Sequence, residues 1–225
     1  MRLNISTAPA HEARSAIGFN LLAIASLVML LAVAVGYGVD ALSRQSRTAP
    51  PLLTDGNPIT QTLSGKPLDI PNNWFRYGEQ LKAGFTNQID LRLTFAPMPG
   101  VAPIPVNVTL LPRSRARTSA SLLDNVYLHQ FSDDTAQGVP GLIGKPMQAD
   151  DDMAGETVWY DALSPNPFVA KCVEAVSPNA PAQCVRTVYL ASGIAAIYTF
   201  DATALQSWRV FDAQMERWLR PIGAW

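Results

Sequence analysis

Charge, histidine, cysteine and lysine are all scarce in this sequence, and each scarcity excludes something. Charged residues make up only 16% of the 225 residues, and the formal net charge is -1. A nucleic-acid binder would carry a basic excess, so none is expected as a partner. Globular chains average about a quarter charged residues, so the low fraction suggests that part of the chain sits outside water. There are two histidines, His11 and His129, which leaves little for histidine-based catalysis. The two cysteines, Cys172 and Cys184, are not CxxC-spaced, and His129 is the only histidine in the chain beyond its long N-terminal apolar run, so a zinc site is not expected. Aromatic residues amount to 8% and prolines number 18, which fits neither a coiled coil nor a collagen-like chain. No Walker loop, dinucleotide fingerprint, HExxH or GxSxG occurs, and no cofactor is expected. What remains is a chain 48% hydrophobic, enough to build an independent core rather than stay disordered. The length suits one domain with an accessory segment.

The accessory segment is easy to find. Ile17 to Val39 reads IGFNLLAIASLVMLLAVAVGYGV, with no charged side chain and Asn20 as its one strongly polar residue. About 20 apolar residues in a helix cross a hydrocarbon core of about 30 Å. A cleaved signal peptide is the competing reading, with Ala32 and Ala34 as small residues at a cleavage site. Its apolar region would be only about 7–15 residues long, so the length favours an uncleaved anchor. Lys/Arg counts tie across the span, with Arg2 and Arg14 before it and Arg44 and Arg47 after it, so the positive-inside rule does not orient it. The orientation is taken from the rest of the chain, which looks exported. The expected layout is a cytoplasmic tail (1–16), a transmembrane anchor (17–39), a proline-containing linker (40–60) and an exported domain (61–225). The location is then the inner membrane, single-pass, with the C-terminal domain in the periplasm.

The exported reading rests on the cysteines. They lie in FVAKCVEAVSPNAPAQCVRTVYL, where two apolar runs flank the turn-rich SPNAP. A turn centred near Pro178 sets Cys172 opposite Cys184 on an antiparallel pair, within disulfide reach. Such a bond belongs to an oxidising compartment. Two buried free thiols are the alternative.

The domain reads as α+β: a mostly antiparallel sheet with a C-terminal amphipathic helix packed on it. TLSGKPLDI suggests two short strands around Ser64–Gly65, and NNWFRYGEQ a helical turn. In QIDLRLTF, Ile89, Leu91, Leu93 and Phe95 face a core while Asp90, Arg92 and Thr94 face water. VNVTLL repeats the pattern with Val106, Val108 and Leu110. Prolines 97, 99, 103 and 105 mark a loop or edge between these strands. NVYLHQF reads as a further strand, although LLDNVY also suits a helix. TVWYDAL, FVAKCVEAV, CVRTVYLA and IAAIYTF follow as strands, the last after a turn at Ala191–Gly193. Asp201 caps a helix from Ala202 to about Leu219. In it Leu205, Trp208, Phe211, Met215 and Trp218 recur every three or four residues and bury one face. Pro221 stops it.

Three of these segments, CVRTVYL, IYTF and LQSWRVFD, are similar to the C-terminal ends of uncharacterised single-pass membrane proteins common in alphaproteobacteria. LDIPNNWFR followed by IDLRL looks like the first block of the same group. The resemblance implies an inner-membrane anchor and a periplasm-facing domain, and nothing chemical.

Few residues suggest chemistry. His129 is expected to be a surface or structural residue on its strand. Asp150, Asp151, Asp152 and Glu156 could hold a hard cation through carboxylate oxygens or do acid–base work, but without the spacing of a calcium loop they read first as a solvated acidic loop. Arg113, Arg115 and Arg117 would share one face of a strand and could bind an anion bidentately; a solvated loop after Pro112 is the plainer reading. Trp225 is expected at an exposed, disordered end. Together these favour a non-catalytic exported domain acting through protein–protein contacts in a cell-envelope assembly. An anionic ligand (lipid headgroup or glycan) bound by the three arginines is the first alternative, and a hydrolase using the carboxylates the second.

Overall fold

The structure, a computed structural model, describes residues 12–45, 56–97, 100–148, 155–175 and 180–225, with the side chains of the first stretch described from 22 to 38. That first stretch is one helix, α1 (Glu12–Gln45, 34 residues), and its described side chains are exposed. Among the described residues no helix is long and apolar enough to cross a membrane. The rest of the described chain forms a separate unit.

This second unit is built on two sheets. β1 (Pro58–Leu63) and β2 (Lys66–Pro71) form a hairpin in register Leu63↔Lys66. Its two-residue turn is Ser64–Gly65, with φ of 52° and 77°, the positive-φ pair that matches the twist of the strands. β3 (Gly84–Thr86) pairs parallel with β1. Two 3₁₀ turns, Asn72–Trp74 and Gly78–Gln80, take up the segment expected to be helical. The larger sheet contains β4 (Ile89–Phe95), β5 (Ile104–Pro112), β6 (Ile143–Pro146), β7 (Glu156–Tyr160), β8 (Val169–Val173), β9 (Gln183–Tyr189) and β10 (Ile194–Asp201). Its order is β4-β5-β10-β9-β8-β7-β6, antiparallel throughout. Between β5 and β6 the chain forms α2 (Ser119–Asn125), and after β10 it ends in α3 (Trp208–Leu219). The α+β architecture, antiparallel sheet and C-terminal helix are therefore as expected.

β5 lies inside the sheet yet carries Pro105 and Pro112. The tolerance has a register explanation. The β4 ladder runs from Ile104 to Leu110 and the β10 ladder from Val106 to Pro112. Each proline thus falls where one ladder has ended, so it interrupts no two-sided pairing.

One sheet face carries the main core. Phe211 of α3 is fully buried and meets the rings of Phe200 (4.6 Å), Phe95 (5.1 Å), Tyr198 (5.7 Å) and Phe168 (6.2 Å). Arg186 on β9 ties α3 down. Its Nε and Nη2 donate to Asp212 (3.0 and 2.6 Å), its Nη1 donates to the Val169 carbonyl (3.1 Å), and its guanidinium lies over Phe168. Tyr198 stands directly across from Arg186. Burial, reinforced by the Asp212 carboxylate, pushes its hydroxyl far above the ordinary tyrosine pKa. The other face holds a smaller core of Leu123, Met147, Val158 and Val169 under α2.

Several expectations are corrected. NVYLHQF is not a strand: α2 is followed by a 3₁₀ turn at Tyr127–His129. Thr118 decides this by capping the helix, its hydroxyl accepting from the Ser121 N–H at 3.1 Å. RSRAR is likewise no strand, since Arg113–Arg115 is a 3₁₀ turn after Pro112. The segment from Ala202 is 3₁₀ as far as Ser207, and the α-helix begins at Trp208. Asp201 caps the 3₁₀ segment, accepting from the Thr203 N–H at 2.8 Å. Asp90 is buried rather than solvated. Thr109 Oγ1 (2.6 Å), Gln80 Nε2 (2.9 Å) and Gln88 Nε2 (2.9 Å) donate to its carboxylate, which offsets the cost of burying it. The C-terminal residues are ordered. Ala224 N–H donates to the Leu219 carbonyl, Ser192 Oγ donates to the Ala224 carbonyl, and Trp225 packs on the core.

Candidate functional site

Cys172 on β8 lies opposite Cys184 on β9, and the two form a disulfide across sequence separation 12. Both sulfurs belong to the main core, and Cys172 also surfaces in the floor of an open groove of about 470 Å³. The floor continues across β7 through Thr157, the register partner of Cys172, and Trp159. One wall is the segment Ala136–Val139; the other is the 3₁₀ turn Ala202–Gln206.

Both walls are fastened. Ala136 N–H donates to the Gly144 carbonyl (2.9 Å), Gln206 Nε2 donates to the Gly138 carbonyl (2.9 Å), and Trp208 Nε1 donates to the Pro140 carbonyl (3.1 Å). The floor is fixed by a glycine. Gly144 on β6 pairs with Trp159, and an added Cβ would sit 2.7 Å from the Trp159 ring. The indole therefore lies against bare backbone, and no other residue fits at 144. Gly144→Ala is expected to lower stability by about 1–3 kcal/mol, the cost of overpacking, and to shift indole emission. Denaturant melts and fluorescence check this, with a Trp159→Phe background as control. An unchanged emission would mean that Gly144 does not place Trp159.

The lining is largely apolar or small, with Thr157, Thr203, Gln137 and Gln206 as hydrogen-bonding groups. Glu174 is the one charged residue among the described lining residues. It sits beside Gly155, where its own N–H donates to the Gly155 carbonyl at 3.0 Å. The arrangement has a rigid floor, neutral polar groups and a negative rim. Cys172, held in the disulfide, offers no thiolate. Such a surface suits holding a ligand that carries a positive charge beside an apolar portion.

No known protein family, curated protein or solved structure matches this chain.

The residues singled out in the sequence do not meet in this groove, apart from Cys172. Asp150, Asp151 and Asp152 lie outside the described residues. Glu156 alternates with the groove-facing Thr157, so it lies on the other face of the sheet, paired with Lys171 Nζ at 2.8 Å. There burial, with the Glu156 charge as a second cause, raises the Tyr127 pKa. Among the described residues no three His, Cys, Asp or Glu converge as a metal site. His129 is exposed. Arg113, Arg115 and Arg117 are exposed at the opposite end of β10 from the disulfide. Trp159, Gly144 and Glu174 went unnoticed in the sequence. The residues that form the groove come from five separate segments, and none carries a motif.

Proposed function

We propose that the chain is a membrane-tethered, non-catalytic domain that binds an extended, basic segment of another envelope protein. The groove is the observation that carries this reading: an open channel with a fixed aromatic floor, neutral hydrogen-bonding groups and Glu174 as its described charge. The tether would be the charge-free run Ile17–Val39, 23 residues in the sequence, which a helix extends over about 34 Å. The Cys172–Cys184 disulfide supports an oxidising location, hence a periplasmic domain on an inner-membrane anchor. The resemblance to alphaproteobacterial single-pass proteins points the same way.

The test is site-specific photocrosslinking in intact membranes from Gln137 and Thr203, with Asn107 on the opposite sheet face as control. A discrete protein adduct is expected from both groove positions and not from Asn107. Glu174→Lys is expected to reduce it at least tenfold, because reversal replaces attraction with like-charge repulsion. Adducts absent from both positions, or unaffected by Glu174→Lys, would remove the groove from the function.

A further inference from the structure

The end of the domain away from the disulfide has a different chemistry. The turn Arg113–Arg115 projects three exposed arginines with Arg117, and none forms an ion pair with a carboxylate among the described residues. Two of them are positioned. The Arg113 guanidinium lies 4.3 Å over the Tyr189 ring, whose hydroxyl donates to the Ala116 carbonyl at 2.7 Å. Arg115 Nη1 donates to the Asn87 carbonyl at 3.1 Å. That bond brings in a segment 28 residues earlier. Two residues before Asn87, Phe85 stands on β3 with 92% of its surface exposed. The register Phe85↔Thr62, Thr86↔Leu63 and Leu63↔Lys66 adds the exposed Lys66 to the same end.

We propose that this end docks on an anionic phospholipid bilayer, with the arginines on headgroup phosphates and Phe85 inserted at the acyl boundary. Guanidinium forks bind phosphate oxygens bidentately, and an aromatic ring beside cations is the composition of an interfacial contact. The magnitudes also fit. Each basic residue near an anionic leaflet contributes about fivefold in partitioning, so three give about a hundredfold. That is weak for a free domain and sufficient for one held at a bilayer by a tether, where the effective concentration is millimolar.

Proximity, though not the chemistry, rests on the tether proposed above. β1 runs from Pro58 to Leu63 alongside β3, so its two ends are about 17 Å apart. The twelve residues of sequence between Gln45 and Pro58 reach at most about 40 Å. The basic end can therefore reach the bilayer that holds the tether.

The experiment uses the full chain in nanodiscs of phosphatidylcholine, with or without 30% phosphatidylglycerol. A fluorophore is placed at Phe85→Cys, and a spin-labelled lipid serves as quencher. Severalfold stronger quenching is expected in the anionic discs, reversed by 0.5 M salt, which shortens the screening length to a few ångströms. A second probe at Asn107→Cys should stay unquenched. R113E/R115E/R117E should abolish the difference, and the salt reversal gives the same information without a mutation. Equal quenching in both discs, or none in either, would overturn the proposal. So would loss of quenching in 10 mM inorganic phosphate at constant ionic strength, which would indicate a phosphate-ion site. Displacement by polyglutamate with no lipid quenching would assign the patch to an acidic protein. Co-elution with discs in high salt reads the tether separately. If the chain elutes free, the tether fails, and the same probe with anionic vesicles at low salt still tests the patch.

Discussion

Replacing Phe211 by alanine is expected to cost about 3–5 kcal/mol and to lower the melting temperature by about 10 °C or more. No other side chain on α3 meets so many rings. Phe211 is inaccessible to solvent and touches Phe95 on β4, Tyr198 and Phe200 on β10, and Phe168 just before β8. Tyr198 and Phe200 sit on a strand held by ladders on both sides, and Phe95 and Phe168 lie at strand ends that are themselves packed in the core, so they cannot close onto the space vacated. The full cavity term then adds to the lost transfer energy. The helix cannot slide to compensate either. Arg186 pins Asp212 next to Phe211, and Trp218 Nε1 donates to the Thr94 carbonyl at 2.8 Å while its ring meets Trp74 edge-on at 5.0 Å. Urea denaturation of the full chain in detergent is the measurement. A loss below about 1.5 kcal/mol, the range of a tolerated core swap, would mean that α3 is not what seals this face of the sheet.

The same packing explains which parts of the fold were legible in the sequence. α3 was legible because its buried residues recur at three and four, and nothing else buries them. β4, β5 and β10 were legible through alternation, and the β8–β9 register through the symmetry of Cys172 and Cys184 about Pro178. The failures have equally local causes. β6 reads Ile-Gly-Lys-Pro, four residues with no period to detect, and it exists because Trp159 needs Gly144 beneath it. Asp90 falls on the polar phase of β4, yet Gln80, Gln88 and Thr109 enclose it, and their convergence is a tertiary event. α2 competed with a strand reading because LLDNVYLHQF carries apolar residues compatible with both periods; the Thr118 cap decided it. The groove was invisible for a further reason. Its walls are small and polar residues brought together across the sheet, so no window of sequence contains it. Phe85 and Arg115 were equally separate until one hydrogen bond joined their segments.

Reducing the disulfide is expected to destabilise the domain by about 3 kcal/mol, the chain-entropy value for a loop of a dozen residues. The separation of 12 is short, so the entropic term is modest, but the position raises its importance. Both cysteines are buried, 4% and 0% exposed, in the core beneath the groove. β8 and β9 share only the pairs Lys171↔Val185, Cys172↔Cys184 and Val173↔Gln183, so the covalent link sits in the middle of a three-pair ladder. Its loss should therefore open that ladder first and free the groove floor at Cys172 while α3 stays docked. Cys172→Ala/Cys184→Ala should reproduce the effect of reductant, with a melting temperature lower by about 6–12 °C. Hydrogen exchange should show β8 and β9 losing protection before β4, β5 and β10. Alkylation of the chain taken from its native membrane then decides the compartment. No reactive thiol before denaturing reduction and two after it are the expected counts. Two thiols reactive without reductant would show that the bond does not form in the cell. The periplasmic placement would then lose its chemical support, and the search for a groove partner would move to the cytoplasm.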